Sequence, residues 1–342
     1  MQLSPGKLMG MKRLSDENGI FKMTAVDQRP PIKKPIEDFL KVREAPWNEV
    51  ARFKKMLVEN LQDKSSALLL DPHFAIPFSL DVLNPRKGLV VTLEDSGFIE
   101  TKEGRISRSI DDWSIAKIKR MGADAVKVLA WYRPDAAKTV LKAQQDYVRS
   151  VGEQCANHDI LFLFELLVYP LSTDIYQTSD YVEMKNKKTQ HVLESVDEFS
   201  KQEYGVDVFK LESPVTTNQI TDDDIVSFQE MGKLAGKPWV MLSAGAGKAD
   251  FKKVLDLAFQ AGCSGFLAGR SIWLEAFSYY PDWKKVETKL RGSSARYLAE
   301  ISNMANRKAL AWHKHACYPK GGNFFPYQTS EFRYLYKESH YK

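Results

Sequence analysis

Eight short apolar runs recur along this chain at a nearly constant interval, and that rhythm constrains its fold more than any other feature. The runs are FKMTAVDQ from Phe21, ALLLD from Ala67, GLVVTLE from Gly88, ADAVKVLAWY from Ala123, ILFLFELLVY from Ile160, DVFKLESP from Asp207, PWVMLSAG from Pro238 and GFLAGRSIW from Gly265. Their starts span residues 21 to 265, a mean step of about 35 residues, the size of one strand-plus-helix unit. Runs apolar on both faces suit strands buried on both sides of a parallel sheet.

Most intervals carry helical periodicity. In WNEVARFKKMLVENLQDK, Val50, Phe53, Leu57 and Leu61 share one side. DDWSIAKIKRMG, PDAAKTVLKAQQDYVRSVGEQ, TQHVLESVDEFSKQEYG and KADFKKVLDLAFQAG read the same way, with Gly122, Gly205 and Gly262 at helix C-caps. DPHFAIPFSLDVLNPRKG, interrupted by prolines, is the weakest unit. Eight strand–helix alternations predict a parallel sheet closed into a (β/α)8 TIM barrel. An open doubly wound sheet is the alternative, but no GxGxxG follows the first strand. Although 342 residues divide into roughly two average domains, such barrels exceed 200 residues as one unit. The expected organisation is an N-terminal helical cap over 1–20, the barrel over 21–312 and a C-terminal extension over 313–342. Ser4 to Asn18 is expected to lie as a short helix across the barrel floor, and SSARYLAEISNMANRKALAWHKHACY to form the last long helix.

Charge and cysteine content exclude several classes. Lys and Arg total 49 against 44 Asp and Glu, a net +5. Five basic and two acidic residues lie between His313 and Lys342, so the body holds no basic stripe and no nucleic-acid partner is expected. The Tyr- and Phe-rich tail from Pro319 reads as docking on this subunit or a neighbour, in a homo-oligomer. Cys155, Cys263 and Cys317 are too scattered for a disulfide framework or a paired zinc motif. With no apolar run of membrane length and no signal-like start, a cytoplasmic protein with no membrane partner is expected.

Charged residues inside apolar strands mark the chemistry. Asp27, Lys127, Glu165 and Lys210 stand in four different strands, and barrel sites form at the strands' carboxyl ends. One such residue has a ready explanation as a structural ion pair; four converging on one end do not. Two lysines and a glutamate in a dry pocket suit Schiff-base chemistry, because an amine attacks a carbonyl only when neutral, a state favoured by desolvation and a nearby second cation. Lys127 is placed as that cation beside Lys210, and Glu165 as the proton carrier. After the last two strands, LSAGAGKADF and FLAGRSIW set Ser243, Gly245, Gly247, Gly269 and Arg270 at helix starts, where backbone amides and an arginine hold anions. Arg29, Lys33 and Lys34, after the first strand, are placed to meet a second anion. None of the six histidines lies in a core strand; HKHAC at His313, His315 and Cys317 falls on the last helix, so no metal is expected.

DVFKLESPV, ADAVKVLAWY, LFELLVYP, AVDQR and PWVMLSAGAGKADF with AGCSGFLAGRSIW together resemble the class I tagatose 1,6-bisphosphate aldolases, in order and spacing over about residues 8 to 312. Their superfamily includes the sulfofructosephosphate aldolases. The resemblance implies metal-independent retro-aldol cleavage of a phosphorylated ketose to dihydroxyacetone phosphate and an aldehyde. Lys210 then matches the Schiff-base lysine, Glu165 the general acid/base and Lys127 the assisting lysine. Asp27 and Gln28 match positions contacting sugar hydroxyls, and Ser243, Gly245, Gly269 and Arg270 those holding the dihydroxyacetone phosphate group. A sulfofructose phosphate aldolase is the first alternative and a non-catalytic sugar-phosphate-binding regulator the second, opposed by the presence of all three central residues. The tail from Tyr318 departs from the family.

Overall fold

The computed structural model describes residues 1–171, 189–217, 220–325 and 329–336. Its eight core strands coincide with the eight apolar runs: β1 Phe21–Ala25, β2 Ala67–Leu70, β3 Gly88–Thr92, β4 Ala125–Trp131, β5 Leu161–Leu167, β6 Val208–Leu211, β7 Trp239–Met241 and β8 Gly265–Ala268. All pair in parallel with their sequence neighbours, and β8 pairs β1 to close the barrel. The fold is a TIM barrel, as the alternation predicts.

The period-two geometry of strands sorts the runs into two cores. Phe21, Met23, Leu69, Val90, Leu163, Val208 and Leu267 point inward and fill the lower barrel. Alternate residues such as Leu68, Val91, Val126, Phe164, Phe209 and Met241 point outward against the helices. The helical layer comprises α2 Pro30–Leu40, α3 Trp47–Leu61, α4 Ala75–Ser79, α5 Ile115–Arg120, α6 Lys138–Asn157, α7 Thr189–Ser200, α8 Ile225–Ala235, α9 Lys248–Gln260, α10 Arg270–Phe277, α11 Trp283–Lys289 and α12 Ala295–Lys308, preceded by α1 Pro5–Leu14. The proline-interrupted unit after β2 keeps only the five-residue α4. The prolines of PPIKKP are compatible with α2 because Pro30 and Pro31 occupy its first turn, whose N–H groups have no helical partner anyway, while Pro35 lies inside the helix.

Helix α1 crosses the floor, as expected. Met11 and Leu14 pack with the lower barrel residues. Lys7 Nζ lies 2.7 Å from Asp207 Oδ2, and the Gly6 amide donates to Asp159 Oδ2 at 2.8 Å. The last helix differs from its expectation: it ends at Lys308, where the backbone turns extended at Ala309. HKHAC therefore lies outside that helix, with His313 and Lys314 in a single 3-10 turn, Trp312–Lys314. His315 Nε2 lies 2.7 Å from Ser264 Oγ, and Trp312, Tyr318 and Phe324 dock on this subunit beneath the barrel beside α1. A hairpin of Ile99–Thr101 and Gly104–Ile106, absent from the sequence reading, stands over β4 and β5. Its Arg105 guanidinium lies 4.3 Å from the Phe98 ring centroid and 5.0 Å from that of Trp131.

Candidate active site

Inward parity decides which strand-end residues meet. Asp27 continues the inward series of β1, Lys127 and Leu129 that of β4, Glu165 and Leu167 that of β5, and Lys210 that of β6. All four charged residues are buried at the carboxyl half of the barrel. Glu165 and Lys210 are register partners on adjacent strands, while Lys127 pairs with Leu163, one inward layer below Glu165.

Glu165 joins the two lysines. Its Oε1 lies 2.8 Å from Lys210 Nζ and its Oε2 2.6 Å from Lys127 Nζ. Lys127 Nζ also meets Asp27 Oδ2 at 3.0 Å and Glu94 Oε1 at 2.5 Å. Lys127, expected as a second cation near Lys210, is surrounded by three carboxylates. A buried ammonium needs such partners to remain charged. Lys127 is the hub of the site, holding Asp27, Glu94 and Glu165 together.

The carboxylates divide in acidity. Burial pushes Asp27 up, but the Lys127 and Lys210 ammoniums outweigh it and hold Asp27 well below the ordinary carboxylate range. Burial pushes Glu94 up to about 7, and the Lys127 charge only partly opposes it. Glu94 was missed in the sequence. Val90, Thr92 and Glu94 follow the inward parity of β3, so the signal was present in GLVVTLE.

The residues of the last two strand ends also converge. Ser243 is buried, and Gly245, at φ +81°, lies so near Arg270 that a Cβ there would stand 3.2 Å from Nη1. At Gly269 a Cβ would come within 2.7 Å of the Ala25 carbonyl and 2.9 Å of Gln28 Nε2. Only glycine lets these backbones approach so closely. Arg270 opens α10. Gln28, Glu165, Lys210, Ser243, Gly269 and Arg270 thus line one cavity, walled by Leu167 and Leu242.

Gln28 also borders a second cavity, lined by Asp27, Arg29, Pro30, Glu94, Asp95, Ser96 and Leu129. Arg29 is buried and donates to the Glu94 carbonyl at 3.2 Å. Lys33 and Lys34 do not join it. They lie on α2 and pair with Glu44 and Asp38 at 3.3 and 2.6 Å, because the helix turns them away from the mouth. Lys54 of α3, unremarked in the sequence, is fully buried, donates to the Val26 carbonyl at 2.8 Å and pairs with Asp71. It secures the strand end that carries Asp27 to Arg29.

The DeoC/LacD family aldolase model matches residues 21–275, the whole span of the barrel and its site. The chain belongs to the DeoC/LacD aldolase family. The tagatose 1,6-diphosphate aldolase of Listeria monocytogenes is 32% identical over 327 residues, covering 91% of this chain and 95% of that protein. The tagatose 1,6-diphosphate aldolase 2 of Streptococcus agalactiae is 28% identical, covering 91% and 99%. Among solved structures, a fructose-bisphosphate aldolase of Plasmodium falciparum superposes with a TM-score of 0.64 at 14% identity, covering 90% of this chain and 97% of that one. A Schiff-base-forming fructose-1,6-bisphosphate aldolase gives 0.57 at 15% identity, covering 87% and 99%. As a DeoC/LacD aldolase the chain is a carbon–carbon lyase, and its fold is that of the aldolase barrels.

Proposed function

We propose that this enzyme is a class I aldolase that cleaves a ketose bisphosphate such as tagatose 1,6-bisphosphate, reversibly, to dihydroxyacetone phosphate and glyceraldehyde 3-phosphate. The observation that carries the reading is the buried Lys210 at 2.8 Å from Glu165, at the carboxyl end of a DeoC/LacD barrel. The Listeria and Streptococcus relatives, named for tagatose 1,6-diphosphate, support the substrate class.

Lys210 is the nucleophile. Neutral Nζ adds to the C2 carbonyl of the open-chain ketose, and Glu165, in contact with it, supplies the proton that lets water leave as the imine forms. The protonated imine draws electrons from the C3–C4 bond, so the reaction needs no metal or other cofactor. Lys127 holds Glu165 in place. Ser243, Gly245, Gly269 and Arg270 hold the C1 phosphate, Asp27 and Gln28 the hydroxyls, and Arg29 the distal anion. Anchoring both ends fixes the reacting carbons over Lys210.

Three unpaired cysteines suit a reducing cytoplasm. The exposed Trp47 and Phe78, with ring centroids 5.6 Å apart, offer an apolar surface for self-association, which light scattering would read as a mass above that of one chain.

The deciding experiment is borohydride trapping with dihydroxyacetone phosphate, read by intact mass and peptide mapping. A stable adduct on the Lys210 peptide is the expected result. A folded, phosphate-binding protein without an adduct would overturn the reading.

A further inference from the structure

We propose that Asp95 is a specificity-determining residue of this aldolase: placed with Arg29 in the lining of the distal cavity, its carboxylate weakens the grip on a doubly charged distal group and opens the cavity to substrates whose far end carries one negative charge or none. The inference rests on the Schiff-base reading above and says which ketose phosphates that site accepts.

The two cavities divide the substrate. One contains Lys210 with Ser243, Gly269 and Arg270, and so takes the carbonyl end with its phosphate. The other shares Gln28 with it and takes the far end of the chain. Among the described residues lining this second cavity, Asp27, Glu94 and Asp95 are carboxylates and Arg29 is the one cation. Arg29 is buried; its Nη2 is spent on the Glu94 carbonyl at 3.2 Å, while Nε and Nη1 have no hydrogen-bond partner among the described residues. Buried donors of this kind call for an acceptor, which the substrate would bring.

The three carboxylates differ in what offsets them. Asp27 and Glu94 share the buried Lys127, at 3.0 and 2.5 Å. Asp95 is held otherwise: Oδ1 accepts from the Gly97 amide at 3.1 Å, Oδ2 accepts from Arg108 Nη2 at 2.8 Å, and the Asp95 amide donates to the Arg108 carbonyl at 2.9 Å. These contacts fix the carboxylate where it is. Arg108 is half exposed, and so exposed a partner offsets little of the charge. Burial pushes Asp95 up, but the Gly97 amide and the Arg29 and Arg108 guanidiniums outweigh it and keep it ionised. Lys33 and Lys34, the other cations after β1, are paired with Glu44 and Asp38. A dianion drawn to Arg29 therefore meets the negative charge of Asp95 in a partly buried site, where salt screens poorly. A monoanion meets about half of that repulsion and a hydroxyl none, since the Coulomb term scales with charge.

The test compares a ketose 1,6-bisphosphate with the corresponding ketose 1-phosphate, which lacks the distal charge. Asp95→Asn removes the charge and keeps an oxygen for the Gly97 amide. KM for the bisphosphate is expected to fall about tenfold, or about 1.4 kcal/mol, while KM for the 1-phosphate changes little. Asp95→Ser, a second uncharged variant with an acceptor for Gly97, is expected to act in the same direction, and Asp95→Glu, which restores the charge, to return the ratio toward that of the wild type. In the synthetic direction with dihydroxyacetone phosphate, the uncharged variants should raise the preference for glyceraldehyde 3-phosphate over glyceraldehyde by a similar factor. An unchanged ratio in folded Asp95→Asn and Asp95→Ser proteins, or equal shifts for both ketoses, would overturn the proposal. A wild-type enzyme that cleaves neither ketose and forms no borohydride adduct would overturn the Schiff-base reading, and this assignment with it.

Discussion

Glu165 and Lys210 are register partners on adjacent parallel strands, and their side chains meet at 2.8 Å. Neighbouring strands lie about 4.8 Å apart, so two inward residues in register point into the barrel side by side without any loop to position them. The remaining partners are set by the same rigid sheet. Thr92 pairs with Lys127, which places Glu94 one inward layer above that pair, within reach of the lysine. A site on strands is more precise than one on loops.

Lys210→Ala removes the nucleophile. Turnover is expected to fall by more than about 1,000-fold, the scale of losing a covalent catalyst. The borohydride adduct should vanish while binding of inorganic phosphate survives. Near-normal turnover in steady-state assays would remove the mechanism.

Lys127→Met leaves Asp27, Glu94 and Glu165 buried around an apolar side chain. Breaking a buried ion-pair network by removing one partner typically costs about 3–5 kcal/mol, and the urea midpoint is expected to fall accordingly. Adding Glu94→Gln to that variant should recover part of the loss, because one uncompensated charge is gone. No recovery would mean that the hub does not balance these charges.

Gly245→Ala places a methyl group 3.2 Å from Arg270 Nη1 at a φ of +81°. The guanidinium must shift, so KM for the phosphorylated ketose should rise about tenfold, or about 1.4 kcal/mol, with a smaller change in kcat. Exchange of an unphosphorylated ketone such as dihydroxyacetone should be unaffected. An equal effect on both ketones would place the phosphate elsewhere.

Stability should depend on pH through Glu94. Its folded-state pKa, about 7, lies above the 4.5 of the free side chain, so the native state binds the extra proton. That contribution is full below about pH 4.5 and is lost as the pH rises toward 7, a decline of about 3 kcal/mol. Asp27, held low, acts in the opposite sense, and its contribution fades in acid. Glu94→Gln should flatten the decline between pH 4.5 and 7 in denaturant titrations; an unchanged slope would contradict the assignment.

Chelation is expected to leave activity intact, since the imine on Lys210 serves as the electron sink. Dialysis against EDTA followed by assay checks this. Loss of activity restored by zinc would favour metal chemistry instead.

Much of this site was legible in the chain. Asp27, Lys127, Glu165 and Lys210 stand out because a charge in an apolar strand is rare, and Gly245 and Gly269 because small residues open helices there. Glu94 escaped because it closes its run, where a charged residue also reads as the start of a loop. The carboxylate cage around Lys127 was hidden for another reason: Asp27 lies 100 residues away, and no local pattern records that separation. Lys54 hid as well, since on an amphipathic helix a lysine reads as solvated.

The barrel and its eight strands were legible in the chain, because strand burial and helical periodicity are local and repeat every few residues. Only the tertiary fold sets three carboxylates around Lys127, pairs Lys33 and Lys34 of α2 with Glu44 and Asp38, and packs Trp312, Tyr318 and Phe324 beneath the barrel. Those outcomes depend on barrel closure, which brings distant segments within a few ångströms, where charge and packing act.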